Sequence, residues 1–179
     1  MVGLQRAASS PARAASLWAP LAADGWRVLL PAAPHMLNSG DRLWLDLERG
    51  ELDLEAAATA VAPHVPAQAA LLVLGGFAQG GAIALHLALT GVVPADAVVL
   101  VGATHRYREV ADAAGHSAPE GLRALIVIGD RERHVAATRA AADRLRALGV
   151  ETRVLTSEAA SGMSCRPACP NSCRPWSPN

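Results

Sequence analysis

Three continuous apolar runs set the strongest limit on what this chain folds into. They are "ALLVLGG" (Ala70 to Gly76), "ADAVVLVG" (Ala95 to Gly102) and "LRALIVIGD" (Leu122 to Asp130). Runs of that length without polar alternation mark strands buried on both faces. Helical patterns follow them: Gln79 to about Thr90, a polar loop or short helix within residues 103 to 121, and an amphipathic stretch from Val135 to Leu148 ended by Gly149. "ETRVLT" (Glu151 to Thr156) adds a last strand. Upstream, Ser10-Pro11 has the form of an N-cap with proline at the first helical position. The helix it opens carries Leu17, Trp18 and Leu21 on one face and stops near Gly25. "WRVLLP" (Trp26 to Pro31) reads as a short strand, and "LDLEAAATAVAPHV" as a helix starting near Asp53 and ended by Pro63 or Pro66. This alternation predicts an α/β fold, a three-layer sandwich whose mainly parallel sheet is flanked by helices. Functional residues in such sheets gather at the C-terminal strand ends. The loops after Pro31, Gly76, Gly102, Asp130 and Thr156 therefore matter most.

Hydrophobic residues make up 51% of the 179 and aromatics only 3%, so the core rests on Leu, Val and Ala. Sixteen basic and sixteen acidic residues cancel, which argues against a nucleic-acid footprint and against a polybasic membrane anchor. No apolar run reaches the roughly 20 residues of a membrane span. The first residues, "MVGLQRAASSPARAAS", hold no apolar stretch of a signal peptide's kind. They faintly resemble a transit peptide but merge into the first helix, so a cytoplasmic location is expected. Residues 1–156 read as one α/β domain. Residues 157–179, rich in proline and without periodicity, read as a disordered tail. Cys165, Cys169 and Cys173 lie in that tail. Their spacing, broken by Pro167 and Pro170, fits neither a disulfide framework nor a zinc site, and no metal is expected.

The run "LVLGGFAQGGAIALHLAL" (Leu72 to Leu89) has the form of a strand, a glycine-rich turn and a helix. Serine hydrolases present their nucleophile on such a turn, with small residues where strand and helix approach closely. Gly76 and Gly80 supply those residues, and the apex is Ala78. The same letters fit a plain strand-helix turn, and they fit Gly-x-Ala-x-x-Gly, a weak dinucleotide fingerprint. A dinucleotide site needs an acid at the end of the next strand, and "VVLVGATH" holds none.

The contiguous stretch "GGFAQGGAIALHLAL" resembles the elbow of the bacterial carboxylesterase/phospholipase family, relatives of the acyl-protein thioesterases. That motif reads Gly-Phe-Ser-Gln-Gly-Gly, and this chain matches it apart from Ala78. The likeness extends to "LAADGWRVLLPAAPH", "LWLDL" (Leu43 to Leu47), "LIVIGDRERHV" and "AADRLRALGVETRV", and covers residues 9 to 156. The resemblance implies an α/β-hydrolase that cleaves carboxylic esters or thioesters with a Ser-Asp-His triad and no cofactor. Its expected partner is a small-molecule ester or acyl ligand. It also implies oxyanion donors at the backbone N–H groups of Gln79 and Ala7, and an acid at Glu132, with Asp130 as its near neighbour.

Four departures accompany the match. Ala78 stands where the nucleophile belongs. Glu132 replaces the aspartate of the acid segment Gly129-Asp130-Arg131-Glu132. No histidine follows Thr156, where the family has a Gly-His pair. Gln5-Arg6 replaces the His-Gly pair of the oxyanion loop, and residues 1 to 5 are left to form the first strand. The resemblance thus implies a fold truncated at the N-terminal strand and the C-terminal helix. In a serine protease, removing the serine or histidine lowers turnover about a millionfold, so the chain is expected to be catalytically silent. A noncatalytic acyl- or ester-binding module and a Rossmann-like dinucleotide binder are the alternatives. Among the remaining histidines, His105 is the expected stand-in for the missing base if there is one. His134, beside the acid loop, is a candidate to pair with Glu132. His35 and His64 are read as structural and His86 as an ordinary helix residue.

Overall fold

The structure is a computed structural model that describes residues 1–6, 11–46, 48, 51–65 and 70–157. Ala7, Ser10, Leu47, Pro66, the three cysteines and residues 158–179 lie outside the described residues, and with them the expected tail. Five strands form a parallel sheet in the order β1 (Val2–Leu4), β4 (Val73–Phe77), β5 (Ala97–Val101), β6 (Arg123–Gly129) and β7 (Glu151–Ser157). Between β1 and β4 run helix α1 (Pro11–Ala23), a two-stranded hairpin of β2 (His35–Met36) and β3 (Arg42–Leu43), and helix α2 (Leu54–Val61). A 3-10 turn over Ala62–His64, bearing Pro63, follows α2. Helices α3 (Gln79–Leu89), α4 (Arg106–Ala113) and α5 (Val135–Ala147) connect the later strands. Asp53 caps α2 by accepting the Ala56 N–H at 3.0 Å.

The main core lies between one face of the sheet and helices α2 to α5. Leu74, Val98, Leu100, Ala124, Ile126 and Ile128 line that face. Register sets Leu100 beside both Gly76 and Ile126, giving an unbroken apolar row across three strands. Each fully buried Leu or Ile there contributes about 1.5–3 kcal/mol. On the opposite face Trp18 of α1 packs with Met1 and Val73 and stacks at a tilt on Phe77, ring centroids 5.3 Å apart.

Two expectations need correction. β4 is buried on both faces, but β5 and β6 alternate: Val98, Leu100, Ala124, Ile126 and Ile128 are buried, whereas Val99, Val101, Leu125 and Val127 are half-buried. Among the described residues, α1 is the helix on that second face, and its cluster reaches only to Ala97 and Val99. The expected strand Trp26 to Pro31 shrinks to one bridge, Leu29 against Val2. Gly3 N–H donates to Leu29 O at 2.8 Å, and Leu29 N–H donates to Met1 O at 3.0 Å. A partner strand of only three residues and the missing N–H of Pro31 leave nothing to extend the ladder. Of the two forms expected for the polar stretch after β5, a short helix, α4, occupies part of it, and β7 continues one residue past its expected end, through Ser157.

Candidate functional site

At the end of β4 the chain must reverse from strand to helix within one residue. Ala78 makes that reversal at φ 46, ψ −104, and among the described residues no other non-glycine has positive φ. Such a conformation in a residue with a side chain costs about 1–3 kcal/mol and persists only when the surroundings enforce it. Here they do. A Cβ on Gly76 would lie 2.3 Å from the Gly80 carbonyl carbon, and one on Gly80 would lie 2.3 Å from the Gln5 carbonyl oxygen. Helix α3 therefore starts pressed against both β4 and the end of β1. Ala78 N–H donates to Val101 O at 2.8 Å, and Ala82 N–H donates back to Ala78 O at 3.0 Å.

Tyr107, the chain's single tyrosine, braces the turn from below. Its hydroxyl donates to the same Val101 carbonyl at 3.1 Å and lies 2.5 Å from where a Gly81 Cβ would sit. Burial, and then the nearby Glu132 carboxylate, push its phenol above the ordinary range. Trp44, fully buried, holds the other side. Its indole N–H donates to Gln5 O, and its backbone N–H donates to Gln79 Oε1, both at 2.9 Å. Gln79 thus spends its side chain on the residue that follows β3, while its backbone N–H opens helix α3 beside the apex.

Glu132 sits in the turn after β6. Its Oε2 accepts the Ala103 N–H and its Oε1 accepts the Gly129 N–H, the latter at 2.7 Å. The carboxylate therefore joins the ends of β5 and β6. It also lies near the elbow, since a Cβ on Gly102 would be 3.7 Å from Glu132 Oε2 and 4.0 Å from Ala78 N. Asp130 is exposed in the same turn, its N–H donating to Ser157 O. His134 does not turn to Glu132. It precedes α5 and meets the His105 ring edge-on, centroids 5.1 Å apart.

A cleft of about 310 Å³ opens over Ala78 and Gln79. Arg6, Leu45, Thr104, His105 and Arg106 form its other walls. The structure so brings together Ala78, Gln79 and His105, with Glu132 behind them and Gly76 and Gly80 beneath. His105 Nε2 lies 3.7 Å from Glu109 Oε1. The other histidines stand elsewhere. His35 bonds Asp53 at 2.7 Å, His64 is exposed in its 3-10 turn, His116 is exposed in the turn after α4, and His86 is half-buried on α3, where burial lowers its proton affinity. Sequence reasoning passed over Trp44, Thr104, Arg106 and Tyr107. For Tyr107 the available signal was a lone tyrosine just past a strand end; for the others it was only proximity to the loops after β3 and β5. Among the described residues no three His, Cys, Asp or Glu side chains are grouped to hold a metal ion, and no helix is long and apolar enough to cross a membrane.

No protein-family model matches the sequence, and no curated protein sequence matches it. Solved structures do match. An uncharacterized protein from Bacillus cereus ATCC 10987 aligns with a TM-score of 0.70 and 14% identity over 87% of this chain and 51% of its own. The Bacillus cereus carboxylesterase aligns with a TM-score of 0.66 and 12% identity, over 92% of this chain and 82% of its own. Esterase PE8 aligns with a TM-score of 0.59 and 23% identity, over 87% and 80%. The chain thus spans about half the length of the first of these proteins and about four fifths of the other two. At such identities the likeness is one of fold: this chain has the α/β-hydrolase fold.

Proposed function

We propose that this chain is a carboxylesterase/phospholipase-like member of the α/β hydrolases that holds an ester or acyl ligand without cleaving it. The observation that carries the reading is Ala78, a methyl group held in the strained backbone conformation from which the fold presents a nucleophile. Acyl transfer starts with a lone pair attacking a carbonyl carbon, and a methyl group has none. The carboxylate that would orient a base is engaged by two backbone N–H groups. The cleft persists beside the Gln79 N–H, a donor of the type that holds a carbonyl oxygen. A dinucleotide site is disfavoured, because the glycines that would admit a pyrophosphate are filled by the backbone of Gly80, Leu4 and Gln5.

The test is hydrolysis of p-nitrophenyl butyrate at high protein concentration by the chain and by Ala78→Ser. The expected outcome is no turnover above buffer for either, since restoring one hydroxyl does not restore its base. Turnover that survives repurification, or covalent labelling of the unaltered chain by a fluorophosphonate, overturns the reading. Should only Ala78→Ser react, His105→Ala in that background tells whether His105 serves as its base.

A further inference from the structure

Strand β7 ends the sheet, and among the described residues no strand lies beyond it. Successive peptide groups along a strand point to opposite sides. Ser157 O accepts the Asp130 N–H of the turn after β6, so the peptide groups of Glu151, Arg153, Leu155 and Ser157 point inward to β6. Those of Thr152, Val154 and Thr156 point outward. Arg146, at the end of α5, occupies the first of these: its Nε and Nη2 donate to Thr152 O at 3.3 and 3.1 Å. Among the described residues nothing meets the outward N–H and C=O groups of Val154 and Thr156. Proteins commonly blunt such an edge with proline, a bulge or charge. β7 holds no proline, and its charges, Glu151 and Arg153, lie together near its start and pair at 3.6 Å. Between the two open residues stands Leu155, an aliphatic side chain 54% exposed.

These open groups fit a second copy of the same strand without remainder. Set antiparallel about a two-fold axis through Leu155, each Val154 lies opposite the other copy's Thr156. Such a pair exchanges both of its N–H···O=C bonds, so every open group finds a partner. The two Leu155 side chains then meet at the axis, where antiparallel strands bring side chains closest. Register places Leu155 beside Val127 and Val127 beside Val101, so the half-bare apolar row runs on across the axis. An axis through Val154 needs Thr152 O, which Arg146 already holds. An axis through Arg153 sets two guanidinium groups against each other. Charge allows the approach: sixteen basic and sixteen acidic residues leave no net repulsion between copies.

We propose that two copies of this chain associate through their β7 edges, antiparallel about Leu155, into one continuous sheet. The interface is small, at or below about 1,200 Å², so the dimer is weak and dissociates on dilution. It is independent of what the cleft over Ala78 holds.

The experiment is sedimentation equilibrium of the full chain under reducing conditions, from about 1 μM to about 1 mM, a range that brackets small interfaces. Amide hydrogen exchange is followed at both ends of that range. Expected is reversible dimerisation, with the Val154 and Thr156 amides exchanging several-fold more slowly at the high concentration. Leu155→Glu sets like charges opposite each other at the axis and is expected to weaken the dimer at least about tenfold. Thr156→Pro removes an outward N–H that β6 does not use and is expected to abolish association in the same range. If Thr156→Pro does not fold, Leu155→Lys repeats the charge test at the same exposed site. A monomer throughout the range overturns the proposal. So does a dimer that none of these substitutions weakens, because it forms through another surface. Slow exchange at Val154 and Thr156 that does not depend on concentration also overturns it, because the chain then covers its own edge.

Discussion

The elbow after β4 and the acid turn after β6, which bears Glu132, lie side by side and are held in opposite ways. At the elbow the backbone is held in a strained turn and the side chain takes no polar part: Ala78 has φ 46 and only a methyl group. At the acid turn the side chain itself makes the contacts: the Glu132 carboxylate ties Ala103 to Gly129. The difference follows from what enforces each. Packing of Gly76 and Gly80 against neighbouring backbone fixes the elbow whatever side chain Ala78 carries. The acid turn is held by the carboxylate together with backbone bonds, among them Asp130 N–H to Ser157 O. The elbow's geometry therefore does not depend on its apex side chain, whereas the acid turn's geometry depends in part on its own.

The hardest blow to this contrast falls at Gly76. Gly76→Ala places a methyl carbon 2.3 Å from the Gly80 carbonyl carbon and 2.5 Å from Gly81 N, both rigid backbone. Strand and helix must separate, at a cost of about 3 kcal/mol. The shift of the urea midpoint measures it, and a loss smaller than about 1 kcal/mol shows that the elbow is not held by close packing. Glu132→Ala comes next. It leaves the Ala103 and Gly129 N–H groups to water, and because the carboxylate is exposed the expected loss is about 1–1.5 kcal/mol. Glu132→Gln keeps one acceptor and is expected to recover about half of that loss. Equal stability of all three proteins makes the carboxylate a solvated bystander.

Ala78→Gly tests the elbow in the opposite direction. Glycine tolerates positive φ without the side-chain penalty but loses more freedom on folding. Strain relief is the larger quantity, so a gain of about 1 kcal/mol is expected. Destabilisation in the same urea titration shows that the methyl is packed rather than strained.

Much of this arrangement is readable from the letters. The runs around Leu74, Leu100 and Ile126 announce three neighbouring parallel strands, and the glycines flanking Phe77-Ala78-Gln79 announce the elbow. Apolar letters do not say how much of each face is covered, which is why Val99 and Val127 turn out half-buried. "WRVLLP" has strand composition, but whether it pairs depends on a partner at the other end of an intervening helix. The site is legible where one residue type is obligatory and illegible where a general side chain acquires its task from a distant neighbour. Nothing local marks Trp44 as the donor to Gln5, or Glu132 as the acceptor for a residue 29 positions earlier.

The smallest expected effect concerns a second carboxylate used structurally, Asp53 at the head of α2. Its Oδ1 accepts the Ala56 N–H at 3.0 Å and its Oδ2 bonds His35 at 2.7 Å, tying the hairpin to the helix. The Ala56 bond first, and then the His35 bond, hold the carboxyl below the ordinary Asp range, against a smaller opposing effect of desolvation. A depressed folded-state value means stabilisation that is present above the unfolded Asp value and is lost as pH falls through the folded one. Asp53→Asn retains an oxygen for the helix cap and removes only the charge. Urea midpoints of the parent and Asp53→Asn are therefore expected to differ at neutral pH, with the parent higher, and to converge as the solution is acidified below the usual Asp range. A gap that stays constant to the acid limit assigns the difference to hydrogen-bond geometry instead of charge. Asp53 then joins the elbow, held by shape, and no longer the acid turn, held in part by its carboxylate.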